Sequence, residues 1–232
     1  MREFGGGNPS GFVDSIYCGS GVDGRGLRCV VFLSGCNLRC PFCHNPETLY
    51  KKGEERTAEE VVARTLRYRP YFKRGGVTLS GGEPFLQREF AAAVLKKLGA
   101  NGIHRCAETN GTLCDEELIS LCDALIADIK NQETDDLSPY ETFLTACRRQ
   151  GKEVRLTNVL VPGKNDTPEK IAALKALAER FSLSDTLRFL PFRKLCADKY
   201  RNLGLPFPYG GIREAEERDL ARAKTLFSGG KA

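Results

Sequence analysis

Strand and helix patterns alternate through most of this chain, and that alternation restricts the fold more than any other feature of the sequence. Six short apolar runs rich in Val, Ile, Leu and Thr, at 28–34, 76–80, 103–109, 124–130, 153–161 and 186–190, predict strands. Helical periods lie between them. Thr57-Ala58-Glu59-Glu60 is a capping box that opens a helix over about 57–69, with Val61, Val62 and Leu66 on one face. Phe90, Val94 and Leu98 recur every four residues in 88–98, and Asp115 caps a shorter helix reaching Cys122. A helix over 138–150 follows, then one opened by Thr167-Pro168, with Ile171, Leu174, Leu177 and Phe181 on a common face, and a last one over about 213–227. Strands joined through helices require a parallel sheet with right-handed crossovers. The expected class is therefore α/β, a partial (β/α)6 TIM-like barrel of parallel strands. It forms a single domain over 1–232 with its core at about 11–227. Six units are too few for eight-stranded closure; an open doubly wound sheet is the alternative.

A chain of 232 residues buries roughly three quarters of its unfolded surface as one domain and needs no covalent staple. Residues 1–10 contain no apolar signal region, and no window of about 18 uncharged apolar residues exists, which predicts no membrane segment. Ten cysteines in such a chain then point to a reducing cytoplasm, with those outside the motif below mostly free thiols. Lys plus Arg minus Asp plus Glu is 35 − 30 = +5, well mixed along the chain, with no basic tract and no tryptophan. Nothing here resembles a nucleic-acid groove, and a monomer is expected.

The chemistry is concentrated at the ends of the predicted strands. After the strand at 28–34 comes Gly35-Cys36-Asn37-Leu38-Arg39-Cys40-Pro41-Phe42-Cys43-His44-Asn45, which offers the thiolates of Cys36, Cys40 and Cys43 within eight residues and no obvious fourth. That is the ligand set of an iron–sulfur cluster with one open iron. After the next strands come Ser80-Gly81-Gly82-Glu83-Pro84, Glu108-Thr109-Asn110-Gly111 and Asp128-Ile129-Lys130, and Arg155 lies within the fifth. Taken singly, the glycines read as a tight turn and the charges as surface ion pairs. Taken together, charges at the mouths of apolar strands are costly unless paired or wet, and they point to a shared polar cavity. An open iron takes a nitrogen and an oxygen ligand, a carboxylate takes Lys130 or Arg155, an ammonium takes Glu83, and ribose hydroxyls take Asp128 or Glu108. S-adenosylmethionine carries all of these groups.

In order and spacing these segments, with Val22-Asp23-Gly24-Arg25-Gly26-Leu27-Arg28 before them and Val161-Pro162-Gly163 after, resemble the radical S-adenosylmethionine superfamily. Within it they are similar to the glycyl-radical-enzyme activating enzymes, the branch that includes pyruvate formate-lyase activators. The resemblance implies a [4Fe–4S] cluster on Cys36, Cys40 and Cys43, with S-adenosylmethionine on its open iron. It further implies one electron from reduced flavodoxin or ferredoxin, and hydrogen abstraction from a backbone glycine of a partner glycyl radical enzyme such as formate acetyltransferase. By the same resemblance Gly81, Gly82 and Glu83 meet the methionyl amino group and Phe42 packs on the adenine. Asp128, Lys130 and Arg155 hold the ribose and carboxylate, with Arg193 near the ribose. Glu108, Thr109 and Asp128 match a monovalent cation site for Na+ or K+, and Asp23, Gly24 and Gly26 match the segment that meets the partner's glycine loop.

The chain departs from the family pattern at four places. Glu108 stands where Asp is usual, Arg193 where His is usual and Arg25 where Pro is usual, and the connection from Lys130 to Tyr140 is short. Three further readings compete: an activator of a different glycyl radical enzyme, a small-molecule radical enzyme, and a zinc-binding module on Cys36, Cys40, Cys43 and His44.

Overall fold

The computed structural model describes residues 8–230; residues 1–7 and 231–232 of the domain expected over 1–232 lie outside the described residues. The strands are β1 (Ser10–Ser20), β2 (Arg28–Leu33), β3 (Glu54–Thr57), β4 (Gly76–Gly81), β5 (His104–Thr109), β6 (Ala124–Asp128), β7 (Glu153–Leu160) and β8 (Arg188–Pro191). The helices are α1 (Ala58–Leu66), α2 (Arg88–Ala100), α3 (Glu116–Leu121), α4 (Ser138–Arg149), α5 (Pro168–Arg180), α6 (Ala197–Asn202) and α7 (Glu217–Ser228). The strands form one sheet in the order β3-β1-β2-β4-β5-β6-β7-β8. The fold is a mixed, mostly parallel α/β partial barrel, and the six predicted strands are β2 and β4 to β8.

The expectation of parallel strands alone is corrected at one edge, where β1 pairs antiparallel with both β2 and β3. Neither strand carries a sustained apolar run: in β1 the pairs Phe12-Val13 and Ile16-Tyr17 are separated by Asp14 and Ser15 and flanked by Gly and Ser, and β3 is Glu-Glu-Arg-Thr. Both are specified by pairing to a neighbour, which composition does not reveal. The capping box at Thr57 and Glu60 and the caps at Asp115 and Thr167 form as expected. Residues 213–216, expected to be helical, instead lead up to a capping box of Glu216 and Asp219 that opens α7. The six-residue α6 is too short for its periodicity to register.

Contacts cluster the chain into two compact units. The first comprises residues 8–38, Glu47–Glu108 and Asp115–Ala124. Its core joins Val30, Val31 and Leu33 of β2 and Val77 and Leu79 of β4 with the expected face of α2, Phe90, Val94 and Leu98, all buried. The Gln87 amide clamps β1 to the end of β2. It accepts from Phe12 N–H (2.8 Å) and donates to the carbonyls of Phe12 (2.8 Å) and Ser34 (2.8 Å). Cys18 and Cys29 stand opposite each other in the β1–β2 register and form a disulfide. This corrects the expectation of free thiols for these two, and it follows from the strand that the sequence did not reveal. Cys106, Cys122, Cys147 and Cys196 are buried and lie outside the disulfide, and burial pushes the Cys147 thiol up to about 12.

The second unit comprises Arg39–Pro46, Thr109–Cys114 and residues 125–230. Leu125 and Ile126 of β6 and Leu156 and Leu160 of β7 are buried, as are Tyr140 and Phe143 of α4 and Ile171, Leu174 and Leu177 of α5. A second apolar cluster gathers Phe42, Val161, Phe192, Tyr209 and Ala215.

Candidate functional site

In the first unit the start of the cysteine loop is fixed by backbone bonds on both sides. Gly35 N–H donates to Thr48 O (2.7 Å), Cys36 N–H to Leu49 O (3.2 Å), and Gly35 O accepts from Glu83 N–H (2.8 Å). Leu38 N–H points at the Cys36 sulfur, 3.4 Å away. Gly81 and Gly82 do allow a close backbone approach, but on the Cβ side the approach is to the chain itself: a Cβ on Gly82 would lie 2.2 Å from Gly35 O. Glu83 is fully buried and its Oε1 accepts from Phe85 N–H (3.0 Å).

Thr78 and Ser80, two residues apart on β4, share a face of the sheet. Ser80 Oγ donates to Glu108 (2.7 Å), and Thr78 Oγ1 donates to the carbonyl of Asp23 (2.7 Å). Glu108 and the Asp23 loop are thereby held against one face. The Asp23 carboxylate meets the hydroxyl of Ser20. Arg28, whose role the sequence did not disclose, is fully buried beneath this loop. Its guanidinium donates to Thr78 Oγ1 (2.6 Å), Val77 O (2.6 Å), His104 O (3.2 Å) and Arg25 O (3.2 Å). Gly26 has φ +73°, and a Cβ there would lie 2.1 Å from Arg74 O, so the turn admits no side chain. Arg25 lines an open cavity of about 380 Å³ with Lys73, Arg74 and His104.

In the second unit Cys40 and Cys43 flank a turn closed by Cys43 N–H to Cys40 O (3.1 Å). Phe42 between them is 4% exposed, its ring 5.9 Å from that of Tyr209, with Lys130 Nζ 5.3 Å from the ring centroid. Lys130 also pairs with Asp128, and its N–H donates to the Tyr140 hydroxyl (2.8 Å). Burial pulls the Lys130 ammonium down, but the charges of Asp128 and Cys40 outweigh it, so it holds its proton above the usual lysine range.

The other oxygen of Asp128, Oδ1, is buried without a hydrogen-bond partner, and so is Thr157 Oγ1. Ile129 N–H donates to Thr157 O (2.8 Å), which sets Asp128 and Thr157 abreast on adjacent parallel strands with side chains on the same face. Arg155 lies two residues before Thr157 on that face and pairs with Glu153 (3.2 Å). Behind them is a buried amide network. Asn158 donates to Ile129 O (2.7 Å) and to Asn131 (2.9 Å), Asn165 donates to Asn131 (3.0 Å), and Asn165 accepts from Val161 N–H (2.8 Å). Thr157, Tyr209 and the three asparagines were not singled out in the sequence; a Thr in phase with Arg155 on a strand was the one available signal.

Arg193 donates to Ala215 O (2.7 Å) and lies 3.7 Å from Glu214, while its carbonyl bonds the His44 ring (2.8 Å). Thr109 Oγ1 accepts from Gly111 N–H (3.1 Å). Among the described residues no three His, Cys, Asp or Glu side chains gather around a point where a metal ion would sit, so the zinc reading gains no support. A [4Fe–4S] cluster sets each thiolate on its own iron and does not need its ligands to meet at one point. Within the second unit the residues present fit such a group with its nucleoside ligand: Cys40 and Cys43 carry thiols outside the disulfide, and the orphaned oxygens of Asp128 and Thr157 suit ribose hydroxyl donors. No helix among the described residues is long and apolar enough to cross a membrane.

The profile of a family described as a 4Fe-4S single cluster domain matches residues 22–141. The chain is 36% identical over 229 residues to a pyruvate formate-lyase-activating enzyme of Clostridium pasteurianum, covering 93% of this chain and 95% of that protein. It is 33% identical to the one of Staphylococcus epidermidis, covering 92% and 93%. Among solved structures, a radical SAM methyltransferase from Sphaerobacter thermophilus superposes with TM-score 0.59 at 19% identity, over 87% of this chain and 64% of that one. QueE from Escherichia coli gives 0.52 at 17%, over 84% and 92%. At those identities the structural likeness is one of fold.

Proposed function

The chain belongs to the radical S-adenosylmethionine superfamily, in its family of glycyl-radical-enzyme activating enzymes, and we propose from this that it activates a glycyl radical enzyme such as pyruvate formate-lyase. The cluster would be held by Cys36, Cys40 and Cys43. When bound and reduced it supplies the electron that cleaves S-adenosylmethionine to methionine and a 5′-deoxyadenosyl radical, which takes a hydrogen atom from the partner's backbone glycine.

The chain's own residues bind and orient. The buried Glu83 carboxylate would hold the methionyl ammonium with the backbone of Gly81 and Gly82, and Lys130, which pairs with Asp128, would answer the carboxylate. Asp128 and Thr157 accept from the ribose, Arg155 lies on the same strand face as Thr157, and Phe42 supplies an apolar wall for the adenine. Arg193, whose side chain donates to Ala215 O, would lie near the ribose by the family resemblance. Glu108, Thr109 and Asp128 are assigned to the Na+ or K+ ion, and Asp23, Gly24 and Gly26 to the partner's glycine loop. The electron donor is reduced flavodoxin or ferredoxin, and the enzyme works as a cytoplasmic monomer. The observation that carries this reading is the pair of orphaned buried oxygens beside the Lys130–Asp128 pair, which a nucleoside with a carboxylate would satisfy.

The test is anaerobic reconstitution with iron and sulfide, reduction in the presence of S-adenosylmethionine, and chromatography for 5′-deoxyadenosine. Cys40→Ala should lose both cluster absorbance and cleavage. Asp23→Ala should keep cleavage and lose the glycyl radical signal on the partner. A fully loaded wild-type cluster that yields no 5′-deoxyadenosine would sink the proposal.

A further inference from the structure

Cys18 and Cys29 face each other across β1 and β2 with Cα atoms 4.0 Å apart and their sulfurs joined. Neither belongs to the cysteine loop, and nothing in the proposed function uses them. They bracket the base of loop 21–27, which carries Asp23. Between the pair and the loop the ladder slips. Cys18 opposes Cys29 and Ser20 opposes Arg28, so Gly19 is an extra, unpaired residue. The ladder is weakest at such a slip, and a covalent tie one step away fixes which residue Ser20 faces. Ser20 holds the Asp23 side chain, its hydroxyl meeting the carboxylate and accepting from Val22 N–H (3.2 Å), while Thr78 holds only the Asp23 carbonyl (2.7 Å). On the far strand Arg28 anchors the other end of the loop through Arg25 O (3.2 Å).

We propose that Cys18 and Cys29 form a reversible thiol–disulfide site whose oxidised state locks loop 21–27 with Asp23 turned onto Ser20, withholding it from the partner enzyme; the inference rests on the partner-facing role proposed for Asp23. Cys18 is half-buried and Cys29 fully buried, which orders the chemistry. The Cys18 thiolate attacks a small-molecule disulfide and releases one thiol. The Cys29 thiolate then displaces the second thiol and closes the protein disulfide. Two protein thiols are oxidised and one small disulfide is reduced to two thiols. A small-molecule thiol runs the same exchange backwards and frees the slip to shift, so that Asp23 leaves Ser20 and meets the glycine loop.

The test uses the anaerobic holoenzyme treated with oxidised glutathione, or with dithiothreitol, and then desalted. Alkylation with iodoacetamide and peptide mass mapping should show Cys18 and Cys29 protected as one intramolecular pair in the oxidised sample and both labelled in the reduced one. Trypsin should cut after the exposed Arg25 at least 5-fold more slowly in the oxidised sample. With pyruvate formate-lyase as the probe, glycyl radical formation should fall at least 5-fold on oxidation while 5′-deoxyadenosine formation stays within 2-fold, and Cys18→Ser should be indifferent to the oxidant. Cys29→Ala, tested alongside, should behave likewise. Labelling of both cysteines after oxidation, equal tryptic rates, or an equal loss of activation in Cys18→Ser would overturn the proposal. Absence of cleavage in every form would sink the proposed function instead, and the alkylation map and tryptic rates would still decide the lock.

Discussion

Lys130 keeps its proton against its surroundings. Burial works to remove it, and the carboxylate of Asp128 with the nearby Cys40 retains it. A lysine whose pKa rises on folding contributes stability that is complete below the unfolded value, about 10.4, and is lost only as pH climbs through the higher folded value. The pair should therefore contribute equally at pH 6 and pH 9. Lys130→Met leaves Asp128 with no cation on either oxygen and should cost about 1–3 kcal/mol in urea unfolding, with S-adenosylmethionine binding weakened in calorimetry. The double variant Asp128→Asn with Lys130→Met should recover part of that stability, since no charge is then left alone. A double variant less stable than either single one would contradict this account. Cys36, Cys40, Cys43, Asp128 and Lys130 stand out in the sequence as candidates because their chemistry is out of place beside apolar strands. Thr157 was not: a threonine in a strand is an ordinary β-former until its hydroxyl is seen buried without a partner.

At the level of the element, α7 shows a start that depends on charge. Arg213 holds Asp219 through contacts of 2.6 and 2.7 Å, and Asp219 accepts from Glu216 N–H (2.8 Å) to complete the capping box. The Arg213 guanidinium draws the Asp219 carboxyl down to about 2. A depressed carboxyl contributes stability above its unfolded value, near 3.9, that disappears as pH falls toward the folded one. The urea midpoint of Asp219→Asn should thus lie below wild type at pH 6, and the gap should narrow by pH 3; a gap that stays constant would show that the charge is not the cause. The helix starts that rest on local chemistry, Thr57, Asp115 and Thr167, were readable in advance. The strands β1 and β3 were not, because their register is set by β2 and by one another, and with β1 unread the Cys18–Cys29 pairing was unreadable too.

At the scale of the whole molecule, the strand order among the described residues begins at β3 and ends at β8, with no pairing between the two. Each end therefore presents backbone donors and acceptors along one side. β3 is four residues long with three charged side chains, and β8 is four residues long and finishes in Pro191. Short, charged or proline-ended strands make poor templates for pairing with a second chain. Replacing Glu54 and Glu55 of β3 by Val should leave the circular dichroism spectrum unchanged and raise light scattering as the protein is concentrated; a variant that stays monodisperse would remove this role from the two glutamates. The four residues that no apolar pattern announced thus serve colloidal stability: they leave the enzyme's open sheet a finished surface, to which a stray strand from another molecule finds little to add.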